Sequence, residues 1–250
     1  MPARMPTGRN ASAASARSKA SGLPRSCAAR RSSNIPSGLT ADSGRTISAV
    51  TRVLPNSSVA PMQPAALELL AALAPVLRRW GRWYVFGAQA VIVYGVPRLS
   101  ADVDVTLALD PDAPERFAGD MDAAGFASRV TDPEFIRRTR VMPFLHRSTG
   151  MPLDIVLAGS GLEDEFLARA VMTDIGGIVE PLIDRADLIV AKVLAGRPKD
   201  IEDAAAIWRL HGRELDAERI RATLGLLQDA LAQGDLVPAF EEIAARRPGA

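Results

Sequence analysis

Residues 84–109, YVFGAQAVIVYGVPRLSADVDVTLAL, decide how this chain is read. Trp83–Phe86 has the composition of a strand, Gly87 turns the chain, and Gln89–Tyr94 fits a short helix ended by Gly95 and Pro97. Asp102–Leu109 then alternates. On a strand, Val103, Val105, Leu107 and Leu109 face one side, and Asp102, Asp104, Thr106 and Ala108 face the other. That period of two sets both carboxylates on one face. Like charges so close raise each other's pKa unless a cation intervenes. Magnesium takes carboxylate and phosphate oxygens while keeping much of its water, and a pair of such ions can activate a hydroxyl and stabilise a leaving pyrophosphate. A solvent-facing polar strand face also accounts for Asp-x-Asp.

Three other stretches add to this one. Gly87 follows a strand and opens a helix, where a missing side chain and free N–H groups admit a phosphate; an ordinary tight turn has the same signature. Arg98 and Ser100 lie between that turn and the aspartates, where Arg98 can neutralise a phosphate or brace the loop. Asp154 interrupts the apolar run Leu153, Ile155, Val156 and Leu157, where a carboxylate is costly unless it is paired, metal-bound or turned outward on an edge strand.

The stretch from Asp184 to Ile207, DRADLIVAKVLAGRPKDIEDAAAI, reads as two helices. Asp184 is the expected N-cap with Asp187 as its capping-box partner, Gly196 ends the first helix, and Pro198 opens the second. Asp200, Glu202 and Asp203 suit the start of that second helix. Capping leaves the crowding of Lys192, Arg197 and Lys199 at this junction unexplained. A bound triphosphate explains it; for Lys192 a plain ion pair is the alternative. Lys19, Lys192 and Lys199 are the only lysines among 30 basic side chains.

Outward from these stretches, apolar spacing predicts a helix over 64–80, a helix over 112–124, strands over 140–146 and 152–158 joined by a turn at 148–150, and a helix over 162–170. A hairpin follows around Gly176–Gly177, with strands at 171–173 and 178–180. Helices then run over 185–194, 199–210, 216–232 and 237–245. Strands and helices mix first and helices follow alone, which predicts an α/β (α+β) fold: a small mixed β-sheet flanked by helices, with a C-terminal helical lobe. The expected division is 1–61, 62–180 and 181–250.

Composition narrows the classes. With 48% hydrophobic and 24% charged residues, the chain has the make-up of a globular protein. The formal charge of +1 hides an asymmetry. Residues 1–60 carry eight Arg and one Lys against one Asp, so the remainder is acidic and offers no broad nucleic-acid-binding face by net charge. The single Cys27 cannot form an internal disulfide, His146 and His211 are far apart in sequence, and no Cys/His cluster suggests zinc. A reducing, cytoplasmic setting is expected. No apolar run reaches the ~18 residues of a membrane span. The Arg-, Ser- and Ala-rich segment 1–61 reads as disordered. A basic tether, a transit peptide and a translation start near Met62 each explain it, and the start near Met62 is preferred because the apolar pattern begins immediately after it.

Taken together, the ordered motifs are Gly-Ala-x-Ala at 87–90, Tyr-Gly-x-x-Arg-x-Ser-x-Asp-x-Asp at 94–104, Leu-Asp-Ile-Val at 153–156, and Lys-x-x-x-x-Arg-x-Lys-Asp-x-x-Asp at 192–203. This pattern resembles the nucleotidyltransferase superfamily related to DNA polymerase β. Within it the chain is most similar to the AbiEii-like group, which includes toxins of type IV toxin–antitoxin systems. The resemblance runs from Met62 to Leu227. It implies Mg²⁺-dependent transfer of a nucleoside monophosphate (NMP) from a nucleoside triphosphate (NTP) to a hydroxyl, with two metal ions. By the same resemblance, Asp102, Asp104 and Asp154 are the catalytic and metal-binding carboxylates. Gly87, Ala88, Arg98, Ser100, Lys192, Arg197, Lys199 and Asp200 form the nucleotide-binding set. Many relatives carry Gly or Ser where this chain has Ala88; the lost hydroxyl is expected to weaken phosphate binding without abolishing it.

The expected acceptor is the 3′ end of a tRNA, with a protein side chain or a small molecule as alternatives, and a cognate antitoxin protein is an expected partner. Two other classes compete: a non-catalytic NTP-sensing or partner-binding protein, and an antitoxin-like regulator acting through the basic arm.

Overall fold

In a computed structural model that describes residues 62–110, 113–159 and 161–246, the helical spacing after Met62 produces α1 (Pro64–Trp80), with Pro64 in its first turn and Gly81 past its end. The segment 1–61 lies outside the described residues, and with it Lys19, Cys27, the expected disorder and the preferred start near Met62. The chain continues through β1 (Trp83–Phe86), α2 (Gly87–Val93), β2 (Val103–Leu107), α3 (Pro114–Ala123), β3 (Phe126–Ser128), α4 (Pro133–Thr139), β4 (Val141–His146) and β5 (Pro152–Leu157). Then come α5 (Leu162–Arg169), β6 (Val171–Asp174), β7 (Val179–Leu182), α6 (Arg185–Ala195), α7 (Pro198–His211), α8 (Ala217–Leu231) and α9 (Leu236–Ala244).

The strands form one mixed seven-stranded sheet in the order β3-β4-β5-β2-β1-β7-β6. The fold class is therefore α/β, as the mixture of elements predicts. β1 and β2 run antiparallel, β2 and β5 parallel, β4 and β5 antiparallel, and β6 and β7 form the expected hairpin. Val103, Val105 and Leu107 of β2 are fully buried, as are Leu153 and Ile155 of β5, which places the core on the apolar face that the alternation predicts. From Arg185 on, all regular structure among the described residues is helical, and α6 packs against α7, α8 and α9.

Three differences from the sequence reading bear on the site. β2 begins at Val103, so Asp102 stands just ahead of the ladder. β5 lies between β4 and β2, so Asp154 is on an interior strand and not an edge. The stretch 126–139, for which apolar spacing predicts no element, holds β3 and α4. α4 is short and has no buried residue, so apolar periodicity cannot reveal it; Pro133 and the cap from Asp132 Oδ1 to Glu134 N (2.9 Å) start it, and Arg140 in the left-handed region (φ 55°) ends it.

Among the described residues no helix is long and apolar enough to cross a membrane.

Candidate functional site

Strand pairing assembles the carboxylates. The antiparallel β1–β2 ladder sets Phe86 opposite Asp104, so the turn at Gly87 begins directly beside that aspartate. The parallel β2–β5 ladder sets Asp104 opposite Asp154 in register, giving two carboxylates on neighbouring strands. Gly87 has φ +64°, and a Cβ there would lie 2.0 Å from Asp104 Oδ2. Only glycine serves at this position, because the backbone is left-handed and the side-chain space is already taken.

Asp102 is held by contacts outside the ladder. Ser100 Oγ donates to Asp102 Oδ1 (3.0 Å) and to its carbonyl oxygen (3.1 Å), and Gln89 Nε2 donates to the same carbonyl (2.9 Å). Neither Asp104 nor Asp154 accepts a side-chain hydrogen bond or forms an ion pair among the described residues. Asp104 is pushed up to about 6, by burial first and then by the charges of Asp102 and Asp154, with Lys192 and Arg197 opposing. Asp154 is also raised, by burial first, with Asp102 adding to the shift and Arg129 opposing it. Arg129 reaches the site across the sheet: its backbone N–H donates to the Pro143 carbonyl (2.9 Å), and Pro143 is the ladder partner of Asp154. Nothing in the sequence pattern marks Arg129, because its link to Asp154 runs through two inter-strand pairings.

Opposite the sheet stands the α6–α7 junction. Asp184 caps α6 by accepting from Ala186 N (3.1 Å), as expected. Asp187 does not act as a capping-box partner; its buried carboxylate takes Arg169 Nε (2.8 Å) from α5 and Arg219 Nη1 (3.0 Å) from α8. Three helices are tied by charge there, with Arg169 also paired to Glu165 and Arg219 to Asp184. Lys192 Nζ donates to Asp200 Oδ1 (2.7 Å) and Asp203 Oδ2 (2.9 Å), with all three side chains buried. Arg98 also bonds Asp203 Oδ2, and Arg197 bonds Asp200 Oδ2. Burial opposes ionisation of Asp200, yet the hydrogen bonds from Arg197 and Lys192 hold it below the usual carboxylate range. Three cations against two carboxylates leave the cluster one positive charge in excess.

Strands β2 and β5, the Gly87 turn and this junction line a cavity of about 840 Å³. All of Gly87, Ala88, Arg98, Ser100, Asp102, Asp104, Asp154, Lys192, Arg197, Lys199 and Asp200 line it. Leu188, Ala191 and Ala195 add an apolar stripe from α6, and Leu99 stands at the cavity lining 83% exposed. The stripe carries a sequence signal, a spacing of three and four on the helix that holds Lys192. Gln89, Asp203 and Gln63 also belong to the site or its supports. Gln89 looks in sequence like any polar residue of a short helix.

A divalent cation fits the donor set. Among the described residues no three His, Cys, Asp or Glu side chains come together around one point. Magnesium, however, is commonly held by one or two carboxylates and completed by substrate phosphates and water. Two carboxylates without partners, one raised to about 6 by burial and its neighbours' charge, present the oxygen donors and the unbalanced negative charge that such an ion satisfies.

The chain matches no protein-family model and no curated protein. Solved structures with a similar course include the antibiotic-resistance factor ANT(2″)-Ia in solution, at 15% identity over 67% of this chain and 91% of that one, TM-score 0.47. An antigenic nucleotidyltransferase-like protein from Paracoccidioides brasiliensis aligns at 12% identity over 76% and 97% of the two chains, TM-score 0.44. The lincomycin-bound lincosamide antibiotic adenylyltransferase LnuA aligns at 13% identity over 59% and 98%, TM-score 0.40.

Proposed function

We propose that this protein is a nucleotidyltransferase that moves an NMP from an NTP to a hydroxyl acceptor, in the manner of the AbiEii-like toxins. One observation carries the reading: Asp104 and Asp154 pair in register beside the Gly87 turn, in the same cavity as Lys192, Arg197 and Lys199. Unpartnered carboxylates facing cationic side chains across a cavity suit a substrate that brings both phosphates and a metal ion.

In the proposed reaction the acceptor oxygen attacks the α-phosphorus, the bond from that phosphorus to the bridging oxygen breaks, and pyrophosphate leaves. Asp102 and Asp104, with Asp154 as third ligand, would hold Mg²⁺, two ions in all; the metal supplies charge neutralisation at the phosphates and lowers the pKa of the attacking hydroxyl. Asp154 would also assist removal of the acceptor proton. Gly87 and Ala88 let the triphosphate approach the backbone. Lys199, exposed and without an ion pair among the described residues, is suited to its outer phosphates. Lys192 and Arg98 contribute the cluster's excess positive charge from positions fixed by Asp200 and Asp203. In this reading residues 62–180 are the catalytic domain and 181–250 the closing lobe. The acceptor is the 3′ end of a tRNA, and the protein is cytoplasmic with a cognate antitoxin.

A second reading, nucleotide binding without transfer, draws on Lys192: its charge is already met by Asp200 and Asp203, and Ala88 offers no hydroxyl. Incubation of the protein with each α-³²P-labelled NTP, Mg²⁺, total tRNA and a cell lysate separates the two, with an Asp102→Asn/Asp104→Asn variant alongside. Label in RNA with the wild type alone supports transfer to tRNA. Label in protein alone redirects the acceptor. NTP binding with no label supports the non-catalytic reading.

A further inference from the structure

Gln89 is 1% exposed in α2, where its neighbours Ala88, Ala90, Val91, Ile92 and Val93 are apolar and buried. A carboxamide so placed has lost its water, so its hydrogen bonds must come from the protein. Only half of that demand is met. Nε2 donates to the Asp102 carbonyl at 2.9 Å, whereas Oε1 is buried with no partner among the described residues. A Leu or Met would fill the space without an orphaned oxygen. The one thing the amide does that an apolar side chain cannot is grip Asp102.

That grip matters because of where Asp102 lies. The β2 ladder begins at Val103, paired with Leu153, so no inter-strand pairing holds Asp102. Its carbonyl is held instead from two sides, by Gln89 Nε2 and by Ser100 Oγ, and Ser100 also bonds the carboxylate. Pinning the carbonyl sets the peptide plane between Asp102 and Val103, and so the direction in which the Asp102 side chain leaves the backbone.

We propose that Gln89 is a positioning residue that aims the Asp102 carboxylate into the cavity beside Asp104 and so sets the affinity of this site for a divalent cation. The inference rests on the metal-dependent reading above.

The test uses the full chain and Mn²⁺ alone, titrated without nucleotide and followed by the electron paramagnetic resonance signal of free Mn²⁺. Gln89→Met removes the donor at nearly constant volume. Its Mn²⁺ dissociation constant is expected to rise about tenfold, the size of loss that follows removal of a hydrogen-bond partner one step behind a metal ligand. Ser100→Ala, which frees the same carbonyl, is expected to do likewise. Gln89→Asn keeps the amide but shortens its reach, and is expected to repeat the loss if the Met variant does not fold. A merely structural role would lower the thermal midpoint in EDTA and leave Mn²⁺ affinity within twofold; that result in any folded Gln89 variant overturns the inference. Equal Mn²⁺ binding by wild type and Asp102→Asn overturns it as well, by removing Asp102 from the ligands. No Mn²⁺ binding by the wild type removes the metal reading itself, and this inference with it.

Discussion

Asp104 Oδ2 occupies the space in which Gly87 would carry a side chain, only 2.0 Å from where a Cβ would lie. The turn and the carboxylate therefore constrain each other, and the sheet leaves neither room to retreat, since Phe86 and Asp104 are ladder partners. Gly87→Ala adds a left-handed-region penalty of roughly 1–2 kcal/mol to this clash. A stability loss of about 1–3 kcal/mol in urea denaturation is expected. Transfer activity is expected to fall about a hundredfold, since a displaced carboxylate misaligns the reacting groups. Wild-type transfer by Gly87→Ala would contradict the close placement.

The raised pKa of Asp104 makes the metal-free protein sensitive to pH. The folded carboxyl, at about 6 against an ordinary 3.8, holds its proton more tightly than the unfolded one. The stability it contributes is fully present below pH 3.8 and is lost as pH rises through about 6. In EDTA, unfolding free energy is expected to drop by about 1–3 kcal/mol across that window, with Asp154 acting in the same direction. Asp104→Asn should flatten the profile. Urea titrations at several pH values check both.

Divalent metal should reverse this cost. At pH 7.5, Mg²⁺ binding to the folded state alone raises the thermal midpoint, and removal by EDTA lowers it again. Asp104→Asn is expected to lose the response. Calorimetry of the wild type and variant with and without Mg²⁺ reads the difference, and an unchanged wild-type midpoint would count against a metal site.

Lys192 bridges Asp200 and Asp203 at a buried junction, so its removal leaves two carboxylates short of a cation. Lys192→Met is expected to lose about 2–4 kcal/mol. Arg98 and Arg197 still reach the same carboxylates, which keeps the loss from being larger. Lys192→Met/Asp203→Asn should recover part of it, with a coupling energy of about 1 kcal/mol or more in a double-mutant cycle. Strict additivity would mean that the pair does not act as a unit.

Asp187 provides a contrast outside the cavity. Its buried carboxylate pairs with both Arg169 and Arg219, and Asp187→Asn is expected to destabilise by about 3 kcal/mol. NTP affinity of the folded variant should stay within threefold of wild type by equilibrium dialysis.

Local pattern made much of this readable. The alternation of Asp102–Leu109, the glycine after β1 and the capping of the α6–α7 junction each depend on residues within a few positions, and the structure follows them closely at Gly87, Val103, Asp184 and Gly196. Short, exposed α4 had no apolar period to betray it. Gln89 carries no sequence signal, because an amide in a short helix gains meaning only from the carbonyl it reaches 13 residues away.

By itself the sequence determined which faces of β2 and α6 are apolar and where the chain turns, because periods of two and 3.6 are properties of the backbone. Only tertiary structure decided that β5 lies beside β2 with Asp154 level with Asp104, that Arg129 bears on that carboxylate, and that Lys192 is already paired with Asp200 and Asp203. Register and ion-pair partners are set by which distant segments bury their apolar faces together, and that choice is made by the whole core.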